Sequence, residues 1–189
     1  KDMDQLTTAK QYSSGIYEYK VAKNGDFGSA LGFDMTLNLR GKALNATIQY
    51  TYSVAKASSE YDEKAFGEVI VDAPMQEFLM PYDRTHDLTM SLYTEKLPWG
   101  LSAGLTGYFQ SGYPYTPMIF NGDKPQSDVK NKNTKRAPAY KNIDLSLSKV
   151  LHYYDIKVSL GVNMYNVFNL KIPLDVFDLT GEPDDPGEY

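Results

Sequence analysis

The sequence predicts an all-β protein of antiparallel, up-and-down strands, and three observations lead there. A two-residue hydrophobic period recurs along the chain, the connections between periodic segments alternate long and short, and the polar strand faces are nearly free of charge. A period of two marks a strand with one face in an apolar environment, because successive side chains point to opposite sides. The 3.6-residue period of an amphipathic helix is nearly absent.

Seven strands follow in order. The first and weakest runs from Gly15 to Ala22, with Tyr17, Tyr19 and Val21 on one face. In the second, Phe33, Met35, Leu37 and Leu39 alternate with Asp34, Thr36, Asn38 and Arg40. The third, Ala43 to Val54, sets Leu44, Ala46, Ile48, Tyr50, Tyr52 and Val54 against Asn45, Thr47, Gln49, Thr51 and Ser53. Leu88, Met90 and Leu92 oppose Asp87, Thr89 and Ser91 in the fourth. Leu101, Ala103, Leu105, Gly107 and Phe109 oppose Ser102, Gly104, Thr106, Tyr108 and Gln110 in the fifth. The sixth pairs Ile143, Leu145 and Leu147 with Asp144, Ser146 and Ser148; the seventh pairs Ile156, Val158, Leu160, Val162 and Met164 with Lys157, Ser159, Gly161, Asn163 and Tyr165.

The connections fall at 23–31, 41–42, 55–84, 95–99, 111–139 and 152–154. Antiparallel neighbours joined this way collect every short turn at one end of the sheet and every long loop at the other, which is the asymmetry of bacterial outer-membrane barrels. Of the polar-face residues only Asp34, Arg40, Asp87, Asp144 and Lys157 are charged. A water-facing sheet normally carries more Lys and Glu, whereas a neutral polar face suits a wet lumen. The apolar faces then meet lipid, with Tyr50, Tyr52, Tyr93, Tyr153, Tyr154 and Trp99 as an interfacial girdle. On pattern alone a soluble β-sandwich remains the alternative, its apolar faces forming a core.

Composition narrows the function classes. The chain has 189 residues, 42% hydrophobic and 13% aromatic, too apolar for disorder. Its zero cysteines exclude disulfides, thiolate metal sites and a cysteine nucleophile. A net charge of −5 gives no reason to expect a nucleic-acid partner. No run of about 18 apolar residues exists, so a transmembrane helix is out. The mean hydropathy of −0.45 does not exclude strands that are apolar only at every second residue. Lys1-Asp2-Met3-Asp4-Gln5 is unlike a signal peptide.

With short turns on the periplasmic side, the tail from Asn169 to Tyr189 lies outside the cell, and no eighth strand is legible in it. Single-chain bacterial barrels have an even strand number. Seven strands therefore point to part of a larger barrel, with a complete eight-stranded barrel of structural or adhesive role as the rival.

Particular segments then resemble the C-terminal barrel region of TonB-dependent outer-membrane receptors. Met80-Pro81-Tyr82-Asp83-Arg84-Thr85-His86-Asp87-Leu88 is similar to that family's "Y-D-R-x-H-x-L" approach to a strand. It is followed in order by Gly112-Tyr113-Pro114-Tyr115-Thr116-Pro117, by Arg136-Ala137-Pro138-Ala139-Tyr140 leading into Ile143-Asp144-Leu145, by Asn166-Val167-Phe168-Asn169, and by Thr180-Gly181-Glu182-Pro183. The likeness covers roughly Gly32 to Tyr189. It implies about seven strands of an about 22-stranded barrel filled by a plug domain, in the outer membrane of a Gram-negative-type bacterium. The implied activity is uptake of a scarce ligand such as a siderophore, cobalamin, a glycan or a peptide, energised by the TonB complex. Plug and final strand have no counterpart here, so residues 1–189 read as one C-terminal barrel segment. Tyr82, Asp83, Arg84, His86, Asp144, Asn166, Phe168 and Asn169 are the structural residues that the resemblance carries over.

No phosphate loop, zinc-protease helix or nucleophile elbow is present, so no catalytic set, metal site or cofactor is expected. His86 and His152 lie far apart, and Asp83, Arg84 and His86 read best as a hydrogen-bond cluster at the start of a strand. Glu182, Asp184, Asp185 and Glu188 match no calcium loop. Long loops carry function, which makes Tyr113, Tyr115, Asp123, Lys124 and Asp128 the candidates for ligand contact. For Tyr113 and Tyr115 an interfacial aromatic belt is the competing role.

Overall fold

The computed structural model describes residues 2–14, 17–58, 77–122, 124–171 and 173–187, with the backbone alone described for 2–14, 17–27, 121 and 129. The chain is all-β and antiparallel. Its main sheet follows sequence order through β1 (Asp2–Ser14), β2 (Tyr17–Arg40), β3 (Asn45–Ser58), β5 (His86–Leu97), β6 (Leu101–Gln110), β11 (Tyr140–Tyr153) and β12 (Ile156–Met164), and the short β4 (Glu77–Leu79) also pairs with β3. Two small sheets stand beside it. One joins β7 (Pro114–Tyr115) to β10 (Lys135–Arg136), the other β8 (Met118–Asn121) to β9 (Lys124–Ser127).

The alternation read from the sequence becomes two continuous faces once the register is applied. Leu37 pairs with Ile48, Ile48 with Met90, Met90 with Gly107 and Gly107 with Ile143, so apolar residues meet apolar residues from strand to strand. The intervening rows are polar throughout: Asn38 pairs with Thr47, Thr47 with Ser91, Ser91 with Thr106 and Thr106 with Asp144. The register also fixes how the apolar belt runs. Leu39 at the foot of β2 leads through Ala46, Leu92, Leu105 and Leu145 to Met164 at the head of β12. The belt therefore crosses the hydrogen-bonded rows diagonally, ending on β12 at Ile156, eight residues below Met164.

Little of this surface is covered. Only Ala57, Ala137 and Val176 are buried apolar residues among those described, while Leu31, Phe33, Leu160 and Val162 are each more than half exposed. The chain exposes 14202 Å², whereas a compact monomer of its mass exposes about 9,000 Å² by size scaling. The sheet is open, with β1 and β12 as its edges among the described residues.

The structure corrects the sequence reading at the N-terminal end. The expected connection at 23–31 lies inside β2, and the expected weak strand from Gly15 to Ala22 joins it in a 24-residue strand beginning at Tyr17. β1, which the alternation does not reveal, pairs along it. The physical reason is a bulge: Leu6 faces Asp26 and Thr7 faces Asn24, so Gly25 of Asn24-Gly25-Asp26 is an extra residue in the ladder. The alternation of long and short connections holds from 41–44 onward. Gly15 and Ile16, between β1 and β2, lie outside the described residues.

Candidate functional site

The turns at one end of the sheet are short, whereas the other end carries the segments before β5, between β6 and β11, and after β12. A single buried carboxylate organises the junction of the first two. Met80-Pro81-Tyr82-Asp83 forms a turn closed by the Asp83 N–H donating to the Met80 carbonyl at 2.9 Å, with proline where φ must be near −65°. The Asp83 side chain, 2% exposed, accepts from Ala55 N–H at 2.7 Å, Thr85 Oγ1 at 2.8 Å and Arg136 Nη2 at 2.6 Å. Arg136 also donates to the Gly112 carbonyl at 2.9 Å. Burial alone raises the Asp83 carboxyl's pKa. The hydrogen bonds from Arg136, Ala55 and Thr85 outweigh it, and the group is held below its ordinary value.

Around this node the other motif residues take up local tasks. Arg84 donates to the Ser111 carbonyl at 3.0 Å and lies over the Tyr113 ring, 5.1 Å from its centroid. His86 donates its backbone N–H to Ser111 Oγ at 3.1 Å, and its Nδ1 shares a 2.8 Å hydrogen bond with Tyr50. Tyr82 is exposed at the turn. On β11, Asp144 accepts from the Asn166 N–H at 2.8 Å and from Asn142 Nδ2 at 2.9 Å. Asn166 turns the chain after β12 with φ of +50° and bonds Leu170 twice, while Asn169 repeats the left-handed conformation. Asn tolerates that conformation better than most residues. Phe168 between them is exposed.

The ligand-contact candidates are dispersed. The Tyr113 hydroxyl donates to Asp175 Oδ1 at 3.0 Å, and burial together with that carboxylate pushes the phenol's pKa up. Tyr115 packs its hydroxyl under Gly181, and burial beside Asp178 and Glu182 raises it likewise. Both rings therefore hold the tail onto the segment between β6 and β11. The backbone agrees, since Met118 N–H donates to the Asp178 carbonyl at 3.0 Å. Burial next to Asp175 raises Asp178. Lys124 is exposed on β9, opposite Asn121, and Asp128 accepts from Asn131 Nδ2 at 2.6 Å. Asp123 and Glu188 lie outside the described residues. Arg136, Ser111, Asp175 and Asn133, whose Nδ2 donates to the Leu79 carbonyl at 2.6 Å, are structural partners that sequence reasoning missed. No local pattern links residues so far apart.

The polar face has its own bonding. Thr51 donates to Asp34 at 2.6 Å and Gln110 to Asp87 at 2.6 Å. Asn142, 9% exposed, has an Oδ1 without a hydrogen-bond partner. Among the described residues no three His, Cys, Asp or Glu converge to hold a metal ion. The arrangement fixes loops and presents polar groups. Comparison with protein-family models, with curated proteins and with solved structures finds no match.

Proposed function

We propose that this chain is a C-terminal barrel segment of a TonB-dependent outer-membrane receptor, taking part in the capture and energy-coupled uptake of a scarce ligand. The apolar face of the sheet meets outer-membrane lipid and the polar face meets the lumen and the plug domain of the intact receptor. The cap held by Asp83, Arg136 and Tyr113 forms part of the outer vestibule.

One observation carries this reading: the diagonal course of the apolar belt. Its offset of eight residues accumulates over the five strand-to-strand steps from β2 to β12. With about 3.3 Å per residue and about 4.8 Å between strands, that offset corresponds to strands inclined by about 45–50° to a horizontal belt. Membrane barrels incline theirs by about 35–45°. The belt's depth agrees as well. Leu31 to Leu39 on β2 and Ala46 to Val54 on β3 each span nine residues, and about 9–11 tilted residues cross the hydrocarbon. Lys149 is the cation within the belt on β11, and a lysine stem is long enough to carry its ammonium toward the edge of an apolar layer. Trp99, Tyr153 and Tyr154 are exposed at the turn end of the sheet, as an interfacial girdle requires.

Trp99 is the single tryptophan, so a Trp99→Phe background permits one-tryptophan probes. In vesicles containing brominated lipid, tryptophan at Met35 or Leu37 is expected to be quenched and tryptophan at Thr36 or Asn38 to be spared. Equal quenching on both faces, or a protein monodisperse without detergent, overturns the membrane reading.

A further inference from the structure

We propose that the apolar face of the sheet docks anionic phospholipid headgroups at its turn end, with Lys149 of β11 as the anchoring cation. The inference rests on the membrane reading and adds to it the lipid chemistry that this end prefers.

Lys149 is a single charge in apolar surroundings. The register sets it between Leu101 of β6 and Leu160 of β12, and the pairs Leu147–Ala103 and Leu151–Val158 flank it on the same face. It is half-buried, and among the described residues no carboxylate pairs with it. On a lipid-facing strand a cation is costly at mid-depth and far less so near the interface. Lys149 is close to that interface, because its partner Leu101 is the first residue of β6, directly after the turn Pro98–Gly100. A lysine there lays its aliphatic stem along acyl chains and offers its ammonium to the layer above them. In a phospholipid that layer is phosphate.

The surrounding charge has the same sign. Lys42, between β2 and β3, and Lys96, near the end of β5, are exposed and likewise unpaired among the described residues. Arg40 and Lys157 add their charge from the polar face at this end. Five cations thus stand at the short turns and adjoining strand ends against two carboxylates, Glu95 and Asp155, in a chain whose net charge is −5. Basic residues at a membrane surface attract anionic lipid, and a lysine meets phosphate as a compact point charge.

The backbone supplies a second, independent observation. Five non-glycine residues among those described have a left-handed φ, and three of them are Asn133, Asn166 and Asn169, a residue type that tolerates it. The other two are Trp99 at +61° and Tyr154 at +51°, both in short turns. Their side chains are 82% and 88% exposed, so packing does little to offset the strain of a bulky residue in that conformation. Glycine would relax both turns. An exposed aromatic kept there suits the headgroup level of a bilayer, where amphipathic rings concentrate. Trp99 stands two residues before Leu101, the cross-strand partner of Lys149, so ring and cation share one corner of the sheet.

Trp99 is the single tryptophan and reports on the lipid at that corner. Wild-type protein is reconstituted at low ionic strength in phosphatidylcholine vesicles containing a minor fraction of phosphatidylglycerol. Either the phosphatidylglycerol or an equal amount of the phosphatidylcholine is brominated near the headgroup. Brominated phosphatidylglycerol is expected to quench Trp99 more strongly, and added salt should reduce the difference. Lys149→Gln should lower the enrichment of phosphatidylglycerol by about fivefold, the effect of one lysine near a membrane surface, and Lys149→Arg should retain it. Lys96→Gln should act in the same direction, whereas Lys124→Gln/Lys135→Gln, far from this corner, should change the enrichment less than about twofold. Circular dichroism checks that each variant keeps its strands. Equal quenching by the two lipids in the wild type, or an enrichment untouched by Lys149→Gln and Lys96→Gln, overturns the proposal and leaves the membrane reading standing. Quenching by neither lipid also overturns it, and tryptophan at Met35 or Leu37 then separates the causes: quenched there, the corner is covered by protein such as a second copy of the chain; unquenched, the sheet is not in lipid and the membrane reading fails as well.

Discussion

Arg136 Nη2 lies 2.6 Å from Asp83 Oδ2, although 53 residues separate them in the chain. The pair joins the approach to β5 with the return from the long segment after β6, and Ala55 of β3 donates to the same carboxylate. Two connections of the sheet and the strand β3 thus meet at one ion. Gly112 completes the arrangement, because a Cβ there would overlap the Ala137 carbonyl beside Arg136.

Arg136→Ala should loosen the cap strongly. The substitution leaves Asp83 ionised, 2% exposed and without its cation, a loss on the order of 3 kcal/mol for a buried pair broken on one side. Hydrogen exchange is expected to accelerate at residues 79–86 and 112–118 while the β2–β3 ladder keeps its protection. Uniform protection in the variant would show that the node does not hold the cap. Arg136→Lys should recover part of the loss, since an ammonium reaches Asp83 but cannot also span to Gly112 and Thr85.

Acid should undo the same node. Despite burial, hydrogen bonding holds the Asp83 carboxyl below its ordinary value, so the unfolded chain takes up the proton first. The stability contributed by Asp83 is present in full above the ordinary carboxylate range and is lost as the pH falls through the lower, folded value. Urea midpoints of the cap, followed by tyrosine fluorescence, should drop as the pH falls from about 5 on through the lowered folded value. Asp83→Asn should be less stable at neutral pH and show a flatter profile over that window.

Gly181→Ala tests the docking of the tail. Gly181 has φ of +78°, and a side chain there would meet the Tyr115 hydroxyl. The left-handed conformation alone costs an alanine about 1–2 kcal/mol, and the overlap adds to it. Proteolysis within residues 173–187 should become faster, and truncating the ring in Tyr115→Ala should relieve the overlap but not the backbone cost.

The alternation of β2, β3, β5, β6, β11 and β12 was legible because each strand separates apolar from polar residues by a period of two, and lipid or core enforces that separation residue by residue. β1 was not legible, and in the upper half of β2 the stretch up to Ala22 read as a separate weak strand because 23–31 read as a connection. Asn24-Gly25-Asp26 has the composition of a turn, and only pairing with a neighbouring strand turns it into a bulge. The candidate site divides in the same way. Asp83, Arg84 and His86 lie in one short motif and could be singled out together, whereas their partners Arg136 and Ser111 are brought to them by the antiparallel order of the strands. Tyr113 and Tyr115 show the limit of composition, since an aromatic residue on a long loop reads equally well as a ligand contact and as the anchor of a second loop.

Leu37→Arg and Thr36→Arg, adjacent in sequence, separate the membrane reading from the soluble one. Leu37 lies inside the belt between Met35 and Leu39, and its partner Ile48 continues the same face. Thr36 points to the polar face, where Gln49 is its partner. In a bilayer, a cation at the middle of the lipid face costs about 2–4 kcal/mol, and one on the lumen face alters selectivity with little loss of stability. Folding into vesicles, measured by urea titration, should therefore suffer from Leu37→Arg and tolerate Thr36→Arg. A soluble sandwich would also reject Leu37→Arg, because its core takes the place of lipid. The two readings part when detergent is withdrawn. In the membrane protein the wild-type chain itself aggregates, because an exposed belt from Leu31 to Leu39 has nothing to cover it, whereas in the sandwich only the arginine variant does.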